Sequence, residues 1–164
     1  MTRLSSLALS RDANSVPIQD QDGGVIKATI TFAGGTEHGI GDYDGLGNPF
    51  TIFTITGVVI VRLLAVCKTL LGAGATATLE VGIVGNTALL IAQTAADAID
   101  ANEIWHDATP DAATELASVI SASRILANGQ DIIGTVGTAN ITSGVIDFYL
   151  WVRPVSEDSA IVPA

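Results

Sequence analysis

The side chains able to do chemistry in this sequence are few, and they stand apart. His38 follows Glu37, and His106 lies between Trp105 and Asp107. A metal centre needs three or four donors that converge. Two histidines from distant loops read more simply as loop residues bonded to solvent or backbone. Asp42-Tyr43-Asp44-Gly45 is spaced faintly like a calcium loop, but the twelfth position, where a bidentate Glu belongs, holds Phe53. An ordinary turn is expected there, and Asp20-Gln21-Asp22-Gly23 is a weaker match still. Cys67 is the single cysteine, so no internal disulfide can form, and its apolar surroundings predict a buried small hydrophobe. The acid pairs Asp97/Asp100 and Asp107/Asp111 are what any acidic chain contains. No G-x-S-x-G elbow, Walker loop or H-E-x-x-H helix occurs. Gly72-Ala73-Gly74 and Gly45-Leu46-Gly47 do not open a helix after a strand. The expectation is a protein that is not an enzyme and has no catalytic, cofactor-binding or metal-binding residue.

The elements that would position these residues are strands. Ile26, Ala28, Ile30 and Phe32 alternate with Lys27, Thr29 and Thr31, the period of a half-buried strand, and Gly34-Gly35 ends it. Residues 36–49 read as a long loop and 50–55 as a further strand. The near-continuous apolar stretch 58–71 reads as one long strand or a strand pair, covered on both faces. Alternation returns at 75–83, a turn follows at Gly85-Asn86, and 88–92 is another short strand. Residues 94–122 read as a loop with short helical turns at 95–99 and 112–119. Asn128-Gly129 between 124–127 and 131–136 is a hairpin signal. In the strand 145–152, Ile146, Phe148, Leu150 and Val152 face the core, while Val145, Asp147, Tyr149 and Trp151 face out, and Pro154 stops it. The fold expected is all-β, an antiparallel β-sandwich of jelly-roll type with about eight strands. Residues 1–24 form an extended N-terminal arm, 25–155 the sandwich domain and 156–164 a C-terminal tail.

Composition agrees and excludes some classes. Apolar residues make up 48% and charged residues 15%, enough apolar material for one core and unlike a disordered chain. The net charge of −10, with seven bases scattered along the chain, argues against nucleic acid as a partner. The run 57–71 is broken by Arg62 and Lys68 and is shorter than a membrane helix requires, so no membrane is expected. The N-terminal apolar stretch is too brief for a signal peptide, and synthesis in the cytoplasm is expected.

The outward aromatics on 145–152 need cover, either from another layer or from a subunit. The residues expected at an interface are Arg3, Arg11, Val16, Ile18, Trp105, Tyr149 and Trp151. Several strings resemble small virion proteins of tailed bacteriophages: LALSRDANSVP at 7–17, ATLEVGIVGN at 77–86, ANEIWHDATPD at 101–111, IGTVGTAN at 133–140 and GVIDFY at 144–149. The resemblance implies a capsid decoration (cement) protein, commonly a homotrimer, that binds the major capsid protein on the outer surface of the head and braces it. It places the chain on the virion exterior after synthesis in the host bacterial cytoplasm, and the arm would reach onto the shell or a neighbour. The competing reading is a tail- or fibre-associated carbohydrate-binding module that stacks sugars on Trp105, Tyr149 and Trp151. A third is a sandwich stabilised by a cation at Asp42 and Asp44.

Overall fold

Strand follows strand along this chain because apolar and polar residues alternate over short runs punctuated by glycine. The computed structural model describes residues 24–115, 123–127 and 129–164. Its strands are β1 (Gly24–Thr31), β2 (Phe50–Thr56), β3 (Val59–Thr69), β4 (Thr78–Ile83), β5 (Asn86–Ala95), β6 (Ile104–Trp105), β7 (Arg124–Leu126), β8 (Ile132–Gly137), β9 (Val145–Pro154) and β10 (Ala160–Pro163). They form two antiparallel sheets. Sheet one runs β1-β9-β3, with β6 and β7 both on the far edge of β3, and sheet two runs β10-β2-β8-β4-β5. The chain is therefore all-β. Its only helical turn among the described residues is a short one at Ala96–Ala98, inside the span 95–99 expected to hold one.

One apolar core fills the space between the sheets. Leu63, Phe148 and Leu150 from sheet one meet Ile52, Phe53, Leu79 and Ile132 from sheet two, and all are sealed from solvent. Phe32 and Phe50 pack edge to face at 5.8 Å between ring centroids. The Phe50 ring lies across Gly134, its partner in the β2–β8 register, so any side chain at Gly134 would collide with it. Cys67 is buried, as its neighbours predict. Burial pushes its thiol above the ordinary value, and its Sγ donates to the Thr69 carbonyl at 3.3 Å.

Several expectations need correction. The stretch 58–71 yields one long strand, and it is not covered on both faces: inward Val59, Val61, Leu63 and Ala65 are buried, while Ile60, Arg62, Leu64 and Val66 stay half-exposed. Residues 124–126 and 132–137 do not form a hairpin, since β7 pairs with β3 and β8 lies in the other sheet. Positive φ at Gly129 serves a crossing between sheets instead. Asn128 is outside the described residues. The turn near Gly85 is the two-residue Val84-Gly85 hairpin, and Asn86 already belongs to β5. Residues 156–164 do not hang free as a tail: β10 pairs with β2, and the Ala164 amide donates to the Ile52 carbonyl. Residues 112–115 are not helical, and the rest of the expected second helical turn is outside the described residues.

Candidate interaction surface

The face of sheet one turned away from the core combines apolar and cationic residues in rows set by the strand register. Arg62 and Val25 flank Trp151, Leu64 and Lys27 flank Tyr149, and Val66 and Thr29 flank Asp147. Arg153 and Ile125 flank Ile60. Tyr149, Trp151, Ile60, Leu64 and Val66 are half-exposed, and Val25 and Ile125 are exposed. Tyr149 and Trp151 thus lie outward as expected.

The bases, scattered in sequence, are gathered by the fold. Arg3 and Arg11 lie outside the described residues. The other five, Lys27, Arg62, Lys68, Arg124 and Arg153, all belong to strands of sheet one. Sheet two has no Lys or Arg in its strands, and Asp147 is the only acid in those of sheet one. Apart from Asp147 and Glu80, the acids of the described residues lie outside the strands.

Asp147 is the polar anchor of that face. Its carboxylate accepts from Lys27 Nζ at 2.8 Å and from Thr29 Oγ1 at 2.7 Å, and it is almost wholly buried. Burial works against the ionised form, but the bonds from Lys27 and Thr29 outweigh it and hold the carboxyl below its ordinary value. The bond to Asp147 in turn raises Lys27, whose ammonium also sits 6.0 Å above the Tyr149 ring. Beside Trp151, a shallow cavity of about 240 Å³ is lined by Ile60, Arg62, Ser123 and Arg153 among others.

Trp105 is a correction. Expected at an interface, it is fully buried and packs edge to face on Phe148 with centroids 6.4 Å apart. Its Nε1 donates to Thr94 Oγ1 at 2.9 Å, and that hydroxyl donates onward to the carbonyl of Ala92 or Asp107. Val16 and Ile18, like Arg3 and Arg11, lie outside the described residues.

His38 and His106 do not meet: His38 is exposed on the loop after β1, and the loop residue Asp42 is buried against Gly45. That loop is tied down by protein groups. Tyr43 N–H donates to Asn140 Oδ1, and the Asn48 side chain bridges the carbonyls of Tyr43 and Val136.

His106 is different. It is only 5% exposed, and its Nε2 has no hydrogen-bond partner among the described residues. Leaving such an atom buried and unpaired costs about 1–3 kcal/mol. Asp111 Oδ2 is 3.3 Å from Nε2 and Glu115 Oε2 is 4.0 Å away. These three residues could together hold a metal ion. Sequence reasoning missed them because spacings of five and four residues match no ligand motif. They converge through a pair of backbone bonds between Ile104 and Asp111.

No helix of the described residues is long and apolar enough to cross a membrane. No family model, curated protein or solved structure matches the chain.

Proposed function

We propose that the chain is a jelly-roll structural protein of a phage virion, which decorates the capsid exterior as a homotrimer and stabilises it by binding the major capsid protein. The observation that carries this reading is the outer face of sheet one, where half-exposed aromatic and aliphatic rows share a surface with four cationic side chains, Lys27, Arg62, Lys68 and Arg153. Depletion of acids with enrichment in Tyr, Trp and Arg is the composition of an interface core. The chain as a whole carries a net charge of −10, so a cationic face on one copy can meet acidic loops of another. Contacts between unlike patches are heterologous, and rings such as trimers close through them. The strand order supports the jelly roll. With β6 and β7 sharing one strand position, β1-β9-β3-β6/β7 faces β2-β8-β4-β5, and β10 adds an extra edge.

Nucleic acid is a poorer partner for this face. Its cations are separated by apolar rows, and Lys27 is already neutralised by Asp147. A second reading, a carbohydrate-binding module on a tail or fibre, draws on the cavity beside Trp151. Burial of Trp105 removes one of its three stacking residues.

The test is the mass of the purified protein in solution, together with its addition to expanded capsids. A trimer that binds shells, weakens at high salt and ignores duplex DNA is expected. A strictly monomeric protein without affinity for shells overturns the proposal. Saturable binding to a glycan at Trp151 would favour the carbohydrate reading.

A further inference from the structure

The loop after β6 brings three metal-ligating side chains, His106, Asp111 and Glu115, together. His106 is buried to 5% exposure at the start of this segment, and its Nε2 lacks a hydrogen-bond partner among the described residues. Asp111 and Glu115 bring carboxylate oxygens to 3.3 Å and 4.0 Å of that nitrogen, and the three donor atoms all lie within 4.8 Å of one another. We propose that His106, Asp111 and Glu115 bind one divalent transition cation of the zinc class, leaving a solvent-facing position for water.

Four-coordinate zinc holds N and O donors at about 2.0–2.2 Å, which separates neighbouring donors by about 3.3–3.6 Å. His106 and Asp111 already have that separation, and Glu115 Oε2, 4.0 Å from Nε2, needs to close on that nitrogen by less than about 1 Å. Asp111 Oδ2 approaches Nε2 to 3.3 Å without forming a hydrogen bond to it, so the buried nitrogen stays unpartnered beside two carboxylates. Imidazole nitrogen selects against calcium and magnesium, which prefer six or more oxygen ligands, and suits zinc and its neighbours.

The supporting shell is built from backbone and core. Ile104 and Asp111 exchange two backbone hydrogen bonds, of 3.0 and 2.8 Å, which fold the intervening loop back on itself. Trp105, bonded to Thr94, fixes the residue before His106 in the core. Asp107 Oδ2 stands 3.8 Å from His106 Nδ1, on the side a second-shell carboxylate takes when Nε2 binds metal. The side chains of Asp111 and Glu115 remain partly open to solvent, at 37% and 21%, which gives the ion a way in. The cation would clasp the segment between β6 and β7, two short strands that share an edge of β3.

The full chain is stripped with EDTA, dialysed and titrated with Zn²⁺ by calorimetry, with Co²⁺ absorption as a direct report on coordination. One ion per chain is expected, and zinc at a hundred times its Kd raises Tm by about 5–11 °C. Asp111→Asn and Glu115→Gln keep side-chain shape, and each weakens binding at least about tenfold with the metal-free circular dichroism unchanged. His106→Gln abolishes the low-coordinate Co²⁺ spectrum. Should that variant fail to fold, the two carboxamide variants decide the matter alone. Absence of saturable zinc binding, zinc affinity unchanged in both carboxamide variants, or equal stabilisation by Mg²⁺ or Ca²⁺ would each overturn the proposal.

Discussion

The two sheets share one core and differ almost completely on their outer faces. Outside the core, sheet two presents Thr51, Thr54, Thr56 and Thr78 with Glu80, and Val162 of β10, opposite Thr54, is an exposed aliphatic exception. Sheet one presents Ile60, Leu64, Val66, Tyr149 and Trp151 among cations. Threonine satisfies a strand's β-branched preference while leaving a surface that water wets. Large half-exposed apolar side chains gain nothing from water and are left unburied unless something covers them. The contrast teaches that strand propensity and partner-binding capacity are separate properties, and only one face of this sandwich has both.

The largest effects should come from beneath the two faces, where they do not differ. Phe148→Ala in sheet one and Phe53→Ala in sheet two each remove a ring sealed in the shared core. Each should cost about 3–5 kcal/mol in denaturant unfolding. A much cheaper Phe53→Ala would mean that sheet two does not share the core equally, and the comparison would fail at its base.

The outer faces should then part company. Trp151→Glu or Leu64→Glu places a charge in the apolar rows and should dissolve the trimer, read by light scattering. Thr54→Glu, on the exposed face of sheet two, should leave it intact. All three should change the stability of the isolated fold by no more than about 0.5 kcal/mol. Equal loss of assembly on both faces would remove the distinction.

The smallest effect concerns the polar anchor of sheet one. The Asp147 carboxyl is held below its unfolded value near 3.9. Its ionised form therefore contributes stability above that pH, and the contribution fades as pH falls through the lower folded value. Lys27 is raised, so its share is present below about 10.4 and is lost as pH rises through the folded value. Wild type should exceed Asp147→Asn in Tm across the interval between these limits, and the two should converge in acid. A constant difference at all pH values would show that packing, not charge, sets the role of Asp147.

Much of this was legible in single strands. Ile26, Ala28, Ile30 and Phe32, and Ile146, Phe148, Leu150 and Val152, point inward as their alternation predicts, because the pleat sends neighbouring residues to opposite faces, whereas in β2 an irregularity between Thr51 and Phe53 leaves both Ile52 and Phe53 buried. The same rule places Tyr149 and Trp151 outward. Trp105 misled because it stands in a polar neighbourhood, beside His106 and Asp107, and nothing local signals that Thr94 will take its indole N–H into the core. The Asn128-Gly129 dipeptide misled for the converse reason: a turn signal says that the chain bends and does not say which sheet receives the next strand.

Alternation, glycine placement and aliphatic composition thus determined by themselves that the chain forms short antiparallel strands with one buried face. Those are properties of neighbours two residues apart. The tertiary structure alone decided that five bases scattered between positions 27 and 153 belong to one sheet. It also decided that residues 160–163 close an edge as β10, and that His106, Asp111 and Glu115 stand within reach of one another. Each depends on strand order and loop closure, which join residues by hydrogen bonds across the fold and leave no periodic trace in sequence.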